Sequence, residues 1–307
     1  MFDRRTFIKL SAPALAGIPL IVRAQSLPER PRFDERQLPV ARDLLLEMVN
    51  DERSQAGLSQ LKLDGLACQV ANAHARDMAQ GGFLSHWGSD GRKSYQRYGL
   101  AGGTDALREN VASSEPVQSL MPGAVMADLR DMHLSMLNET PPHDGHRKAI
   151  LYPLNTHVGF GIVVYERRLR LCEIYLGRHI SFDVLQPPGK DGAPAIFAGH
   201  VLNEEYRLNG VELCHEPLPA PPELEWLRAR QSISFPQAYR TLRPRAPKGM
   251  VYVDGSFGDF EVKPGGRFRV AVQLDKREPG IYTIIFFISR PGDAQSIPGA
   301  QVCVLHQ

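Results

Sequence analysis

Apolar and polar positions change their period once along this chain, from a helical spacing to an alternation. From about Leu38 to Ala56, Leu44, Leu45, Met48 and Val49 form the stripe of an amphipathic helix, and Gly57 supplies its stop. Leu61-Lys62-Leu63 is a short connector, and Asp64 is placed to cap a second helix that runs to about Gln80, where Gly81-Gly82 ends it. Leu66, Val70, His74 and Met78 recur every four residues there, so His74 reads as a structural histidine on a buried stripe. Ser89-Asp90-Gly91 makes a turn, and a short helix follows through Tyr95 and Tyr98. A longer helix is predicted from about Pro116 to Leu137, beginning near a proline. The period then drops to two. Val158 to Tyr165 and Leu169 to Tyr175 read as paired strands around Glu166-Arg167-Arg168.

Beyond about residue 181 the pattern is one of short strands. Pro187 to Gly192 reads as a turn or linker. Tyr206-Arg207-Leu208 and Val211-Glu212-Leu213 around Asn209-Gly210 give the strongest hairpin signal in the chain. Phe268, Val270, Val272 and Leu274 alternate, Ile281 to Ser289 is an apolar strand, and Gln301 to His306 closes the series. This spacing predicts an all-β sandwich of the immunoglobulin or fibronectin kind over residues 195–307. With helices and a strand pair over residues 38–180, the fold class is α+β.

Composition adds an address and removes one class of partner. Asp3-Arg4-Arg5-Thr6-Phe7-Ile8-Lys9, the apolar run Leu10 to Val22 and then Val22-Arg23-Ala24 match a twin-arginine export signal with its cleavage site, so residues 1–24 are set apart as a signal peptide. The alternative is an ordinary N-terminal helix that carries two arginines. Removing that segment leaves 32 basic and 33 acidic residues. A near-neutral chain with no basic stripe argues against nucleic acid as a partner. No later stretch is long and apolar enough for a transmembrane helix, so the mature chain is expected to be soluble and periplasmic or extracellular. Cys68, Cys172, Cys214 and Cys303 are expected either as two bridges or as buried thiols.

The chemistry gathers in Pro141-Pro142-His143-Asp144-Gly145-His146-Arg147, with Ser85-His86-Trp87 and Arg108-Glu109-Asn110 as further candidate segments. Together with Met48 to Arg53, Ala73 to Ala79, Phe83 to His86, Glu109 to Ala112, Gly145 to Leu151 and Val158 to Gly161, they carry a resemblance in order and spacing. Over residues of about 41 to 176 the chain resembles the CAP superfamily. That group holds cysteine-rich secretory proteins, venom allergens, plant pathogenesis-related proteins and bacterial secreted relatives. The resemblance implies an α–β–α sandwich with a cleft of two histidines and two acidic residues. His86 and His146 match the histidines, and Glu109 matches the first acid. For the second acid the segment Asp131 to Glu139 offers Glu139 or Asp131, and His133 could also enter the site.

Two imidazoles and a carboxylate with an open position are what an exchangeable zinc site uses, so His86, Glu109 and His146 are candidate ligands of a divalent ion such as zinc. No His-Glu-x-x-His spacing marks a dedicated metallohydrolase. The bland alternative is a hydrogen-bonded network that orders three loops. No Gly-x-Ser-x-Gly elbow surrounds a serine, and Cys172 sits in a strand, so nucleophilic catalysis is not expected. Two functions follow. The favoured one is a cleft that binds a metal ion or small ligand, with the β-domain docking on an envelope or protein partner. The alternative is a metal-assisted hydrolase of peptide, lipid ester or cell-wall material through His86, Glu109 and His146.

Overall fold

Two patterns of burial in the computed structural model divide the chain. It describes residues 32–189, 192–229, 232–274, 278–293 and 295–306, so the twin-arginine pattern and its cleavage site lie outside the described residues. In the first lobe, α1 (Leu38–Gln55) buries Ala41, Leu45, Val49 and Arg53, an i, i+4 stripe. Helix α2 (Gly65–Gly81) starts where Asp64 Oδ1 accepts from the Ala67 N–H at 2.8 Å, and Gly82 ends it at φ 65°. Then come α3 (Ser94–Leu100), α4 (Pro122–Leu137) and α5 (Gly145–Ile150). The predicted start of α4 at Pro116 is too early. Pro122 takes the first-turn position, where a missing N–H costs nothing.

These helices sandwich one sheet of β1 (Lys62–Leu63), β2 (Ala106–Ser114), β3 (His157–Tyr165) and β4 (Arg168–Gly177), in the order β1-β3-β4-β2. Helices α1 and α4 with Ile150 of α5 pack on Val158, Phe160, Ile162, Leu169, Leu171 and Tyr175. Helix α2 packs on the other face, on Val111, Cys172, Ile174 and Leu176. Gly159 and Gly161 make that approach possible. A Cβ on Gly159 would stand 2.4 Å from the Ala67 Cβ, and one on Gly161 would stand 2.0 Å from the Ala71 carbonyl carbon. Buried Arg53 bonds the carbonyls of Ser59, Ile150 and Tyr152, tying α1 to the end of α5.

The second lobe is two four-stranded antiparallel sheets. One has the order β5 (Ile180–Gln186), β6 (Ala195–Val201), β10 (Arg267–Val272), β9 (Glu261–Lys263). The other has the order β12 (Ile297–His306), β11 (Gly280–Ser289), β7 (Arg207–Pro217), β8 (Ala238–Leu242), and a short helix α6 (Leu224–Ala229) joins β7 to β8. Phe182, Phe197, Phe268 and Phe286 meet edge-on or tilted between the sheets, so the fold is α+β, a CAP-like sandwich followed by a β-sandwich. Because β5 pairs with β6, the Pro187 to Gly192 stretch connects two strands of this lobe.

The hairpin expected at Asn209-Gly210 does not form. Strand β7 runs straight through, and Gly210 pairs with Phe287 of β11. Asn-Gly only permits the positive φ of a tight turn, whereas ten apolar-rich residues of β11 offer a full-length partner. A bulge between Phe287 and Ile288 absorbs the mismatch.

The lobes meet through α3. On β11 and β12, Ile284, Phe286, Ile288 and Ala300 face the β core, while Ile281 and Cys303 face Tyr95 of α3. Glu216 of β7 accepts from Tyr95 Oη at 2.7 Å and Gln96 Nε2 at 2.8 Å, and pairs with Lys93. Trp87 and Trp226 stack edge-on at 5.1 Å. All four cysteines are free thiols and buried, the second of the two expected states.

Candidate functional site

His86 stands just beyond the end of α2. His74, on the buried stripe of α2, donates from Nε2 to the Ser85 carbonyl at 2.8 Å, and Ser85 Oγ accepts from the Trp87 N–H. These bonds pin both neighbours of His86. Burial, then the nearby Arg97 charge, pull the His74 pKa down to about 4, so its ring is neutral. Arg97 of α3 donates to the His86 carbonyl at 3.0 Å and to Glu109 Oε2 at 2.7 Å. Glu109 of β2 accepts from His86 Nδ1 through Oε1 at 3.0 Å. Burial alone would raise the Glu109 pKa, but Arg97 and the histidines outweigh it and hold the carboxyl far below the usual range.

The second histidine is built differently. Glu139 follows the end of α4, and its Oε1 accepts from His146 Nδ1 at 2.5 Å while Oε2 accepts the His146 N–H at 3.0 Å. Arg147 donates to the Leu137 carbonyl at 2.6 Å, holding α5 to the end of α4. Asn110 Nδ2 reaches the His146 carbonyl at 3.2 Å from β2. Each histidine thus gives Nδ1–H to a carboxylate. In the neutral form of each ring that leaves Nε2 as the acceptor, and among the described residues no side-chain hydrogen bond is made to either Nε2.

His86, Glu109, Glu139 and His146 all line one cavity of about 880 Å³, together with the exposed His143. Of the remaining candidates, Asp131 is exposed on α4 and lines a second hollow of about 440 Å³ that Glu139 and His146 also line. His133 is fully buried behind the cleft, where its Nδ1 meets Glu173 Oε1 at 2.8 Å. Glu173 also accepts from Tyr175 Oη at 2.8 Å and from Asn110 at 3.4 Å. Burial opposes charge on His133, but Glu173 outweighs it and raises the pKa. The Cys172 thiol donates to Glu109 Oε2 at 3.5 Å, and burial pushes its pKa well up, which makes it a poor nucleophile.

These contacts bear on the metal expectation. Among the described residues no three histidine, cysteine or carboxylate side chains are gathered to hold an ion. The carboxylate oxygens of Glu109 and Glu139 are committed to histidine and arginine donors. The donors left for a metal are therefore the two Nε2 atoms, with the glutamates as the outer carboxylates that orient them. Arg97 and the segment Ser232 to Phe235, which also lines the cavity, carry no local signal in the sequence.

Comparison with known proteins places the first lobe. A profile of the cysteine-rich secretory protein family, CAP, matches residues 46–176. No curated protein matches the chain. Among solved structures, an outer surface protein from Borrelia burgdorferi is 16% identical with a TM-score of 0.38, covering 48% of this chain and 97% of that one. An extracellular SCP-domain protein from Bacillus anthracis is 21% identical with a TM-score of 0.36, covering 48% and 44%. The CAP domain of enterococcal PrgA is 17% identical with a TM-score of 0.36, covering 48% and 64%. The chain thus spans less than two thirds of the latter two. Residues 46–176 are a CAP domain, the part of the chain that the family profile covers.

Proposed function

We propose that this is an exported protein whose CAP cleft binds a small ligand through His86 and His146. One observation carries the reading: two imidazoles, one just beyond α2 and one in α5, each with Nδ1 held by a glutamate, line one cavity of about 880 Å³. A cavity of that size is in the range of small-molecule sites. When a divalent ion such as zinc is bound, it supplies charge and open positions for a ligand, and His86 and His146 are the residues that would hold it. Glu109 and Glu139 then keep both rings turned the right way. Export is supported by the order of charged, apolar and small residues from Asp3 to Ala24.

The test is a titration of the purified protein with zinc and with cobalt, whose absorption reports its ligands. One equivalent bound by the wild type and lost in His86→Asn and His146→Asn is the expected result. Equal binding by all three proteins overturns the reading. Ester, peptide and cell-wall substrates are then offered to the zinc-loaded protein. Turnover that disappears in His146→Asn would convert the binding role into hydrolysis.

A further inference from the structure

Among the described residues, every carboxylate, lysine and arginine on the cavity wall but one is matched by an opposite charge. Glu109 and Glu139 hold histidines, Lys148 pairs with Asp144, and Arg228 pairs with Glu225. Arg108 is the exception. It is half-buried and lines the cavity, yet among the described residues no carboxylate or backbone carbonyl accepts from it, and its side-chain hydrogen bond goes to the neutral Tyr152, which leaves its charge unmatched. Its guanidinium lies 3.4 Å from the centre of the Tyr152 ring. So close an approach engages the flat face of the group and leaves in-plane N–H donors for another partner. Burial lowers the Arg108 pKa, which is the sign of a cation withdrawn from water without a matching charge. The two neighbours on β2 therefore do opposite things: Glu109 is consumed inside the protein, and Arg108 is not.

The rest of the wall says what else the occupant carries. Leu107 and Tyr95 line the same cavity, and Ile233 and Phe235 complete it from outside residues 46–176. The Phe235 ring packs 4.9 Å from that of Tyr95. A fixed, planar donor fork beside apolar walls matches a carboxylate or phosphate joined to an apolar body.

We propose that the cleft carries an anion subsite centred on Arg108. It takes the carboxylate or phosphate of an organic ligand whose apolar part lies against Tyr95, Leu107, Ile233 and Phe235. This deepens, and rests on, the reading of the cleft as a ligand site. The second lobe then helps to set specificity, because it supplies Ile233 and Phe235.

Calorimetry with octanoate, octyl phosphate and octanol tests it. The wild type should bind at least one anion about tenfold or more tightly than octanol. Arg108→Gln should erase that preference while octanol is unchanged, and Arg108→Lys should keep only part of it. A preference for octyl phosphate assigns a phosphate ligand, and one for octanoate assigns a carboxylate. Phe235→Ala should weaken all three probes together. Thermal melting checks that Arg108→Gln is folded. Octanol binding as tightly as both anions, an Arg108→Gln protein that keeps the preference, or no anion binding at about 10 mM overturns the subsite. Zinc titration of the wild type and His146→Asn scores the histidine reading separately, so either idea can fail alone.

Discussion

Glu109 and Glu139 each hold the Nδ1 of a cleft histidine, but the Glu109 side chain is 1% exposed and that of Glu139 is 24% exposed. His86 and His146 differ in the same sense, at 13% and 34%. The first pair is set into the layer between α2, α3 and β2 and shares Arg97. The second joins the residue just beyond α4 to the start of α5. Identical chemistry is thus delivered once by a buried charge cluster and once by a surface contact. The lesson is that the two halves should be sensitive to different insults: the Glu109 half to loss of folding, the Glu139 half to loss of ligand geometry.

The largest effect that would break this comparison is on stability. Glu109→Ala leaves Arg97 and His86 without their acceptor, and removing one partner of a buried pair costs about 3–5 kcal/mol. Urea unfolding should show it, and a loss under about 1 kcal/mol would place the two halves on the same footing. Acid comes next. His74 is neutral in the fold, with its pKa moved from 6.5 to about 4, so the folded state binds fewer protons than the unfolded chain in that interval. Stability present above pH 6.5 should fall as pH drops toward 4, by up to about 3 kcal/mol, and His74→Gln should flatten that slope.

His133 has the opposite sign. Its pKa is raised, so its contribution is complete below 6.5 and is lost as pH rises through the folded value. Chemical denaturation in alkaline buffers should show that decline in the wild type and not in His133→Gln. The smallest stability effect belongs to Glu139→Ala, below about 1 kcal/mol for a partly exposed pair. The same variant should nevertheless weaken zinc binding by about 10- to 100-fold, because among the described residues Glu139 alone bonds His146 Nδ1. Unchanged affinity there would mean that the packing of α5 alone sets the ring.

Much of this architecture was legible before any coordinates. The period of α2, with Asp64 before it and Gly82 after it, is a local signal, and so is the Val158 to Tyr165 and Leu169 to Tyr175 pair. The candidate segments at His86, Glu109 and His146 could be picked out because a resemblance set them in order. Arg97 could not, since nothing separates it from any surface arginine on a short helix until α3 is laid beside β2. Asn209-Gly210 misled for the converse reason. A turn signal describes what a backbone tolerates, and the long partner β11 decided what it adopted.

Residue order alone therefore indicated α1 to α4, with α4 begun too early, and the strand-rich second half, while the short list of cleft residues came with the resemblance. Those properties depend on side-chain periodicity and local backbone preference, which act over a few residues. Only the tertiary structure decided that Glu139, and not Asp131 or His133, faces His146, since all three lie close together in the chain and differ only in which direction the end of α4 turns them. It also decided that Phe235 of the second lobe shares a wall with Glu109, and that Arg108 stands there unmatched. Charge compensation is a property of the space around a group, and residues far apart in the chain fill that space.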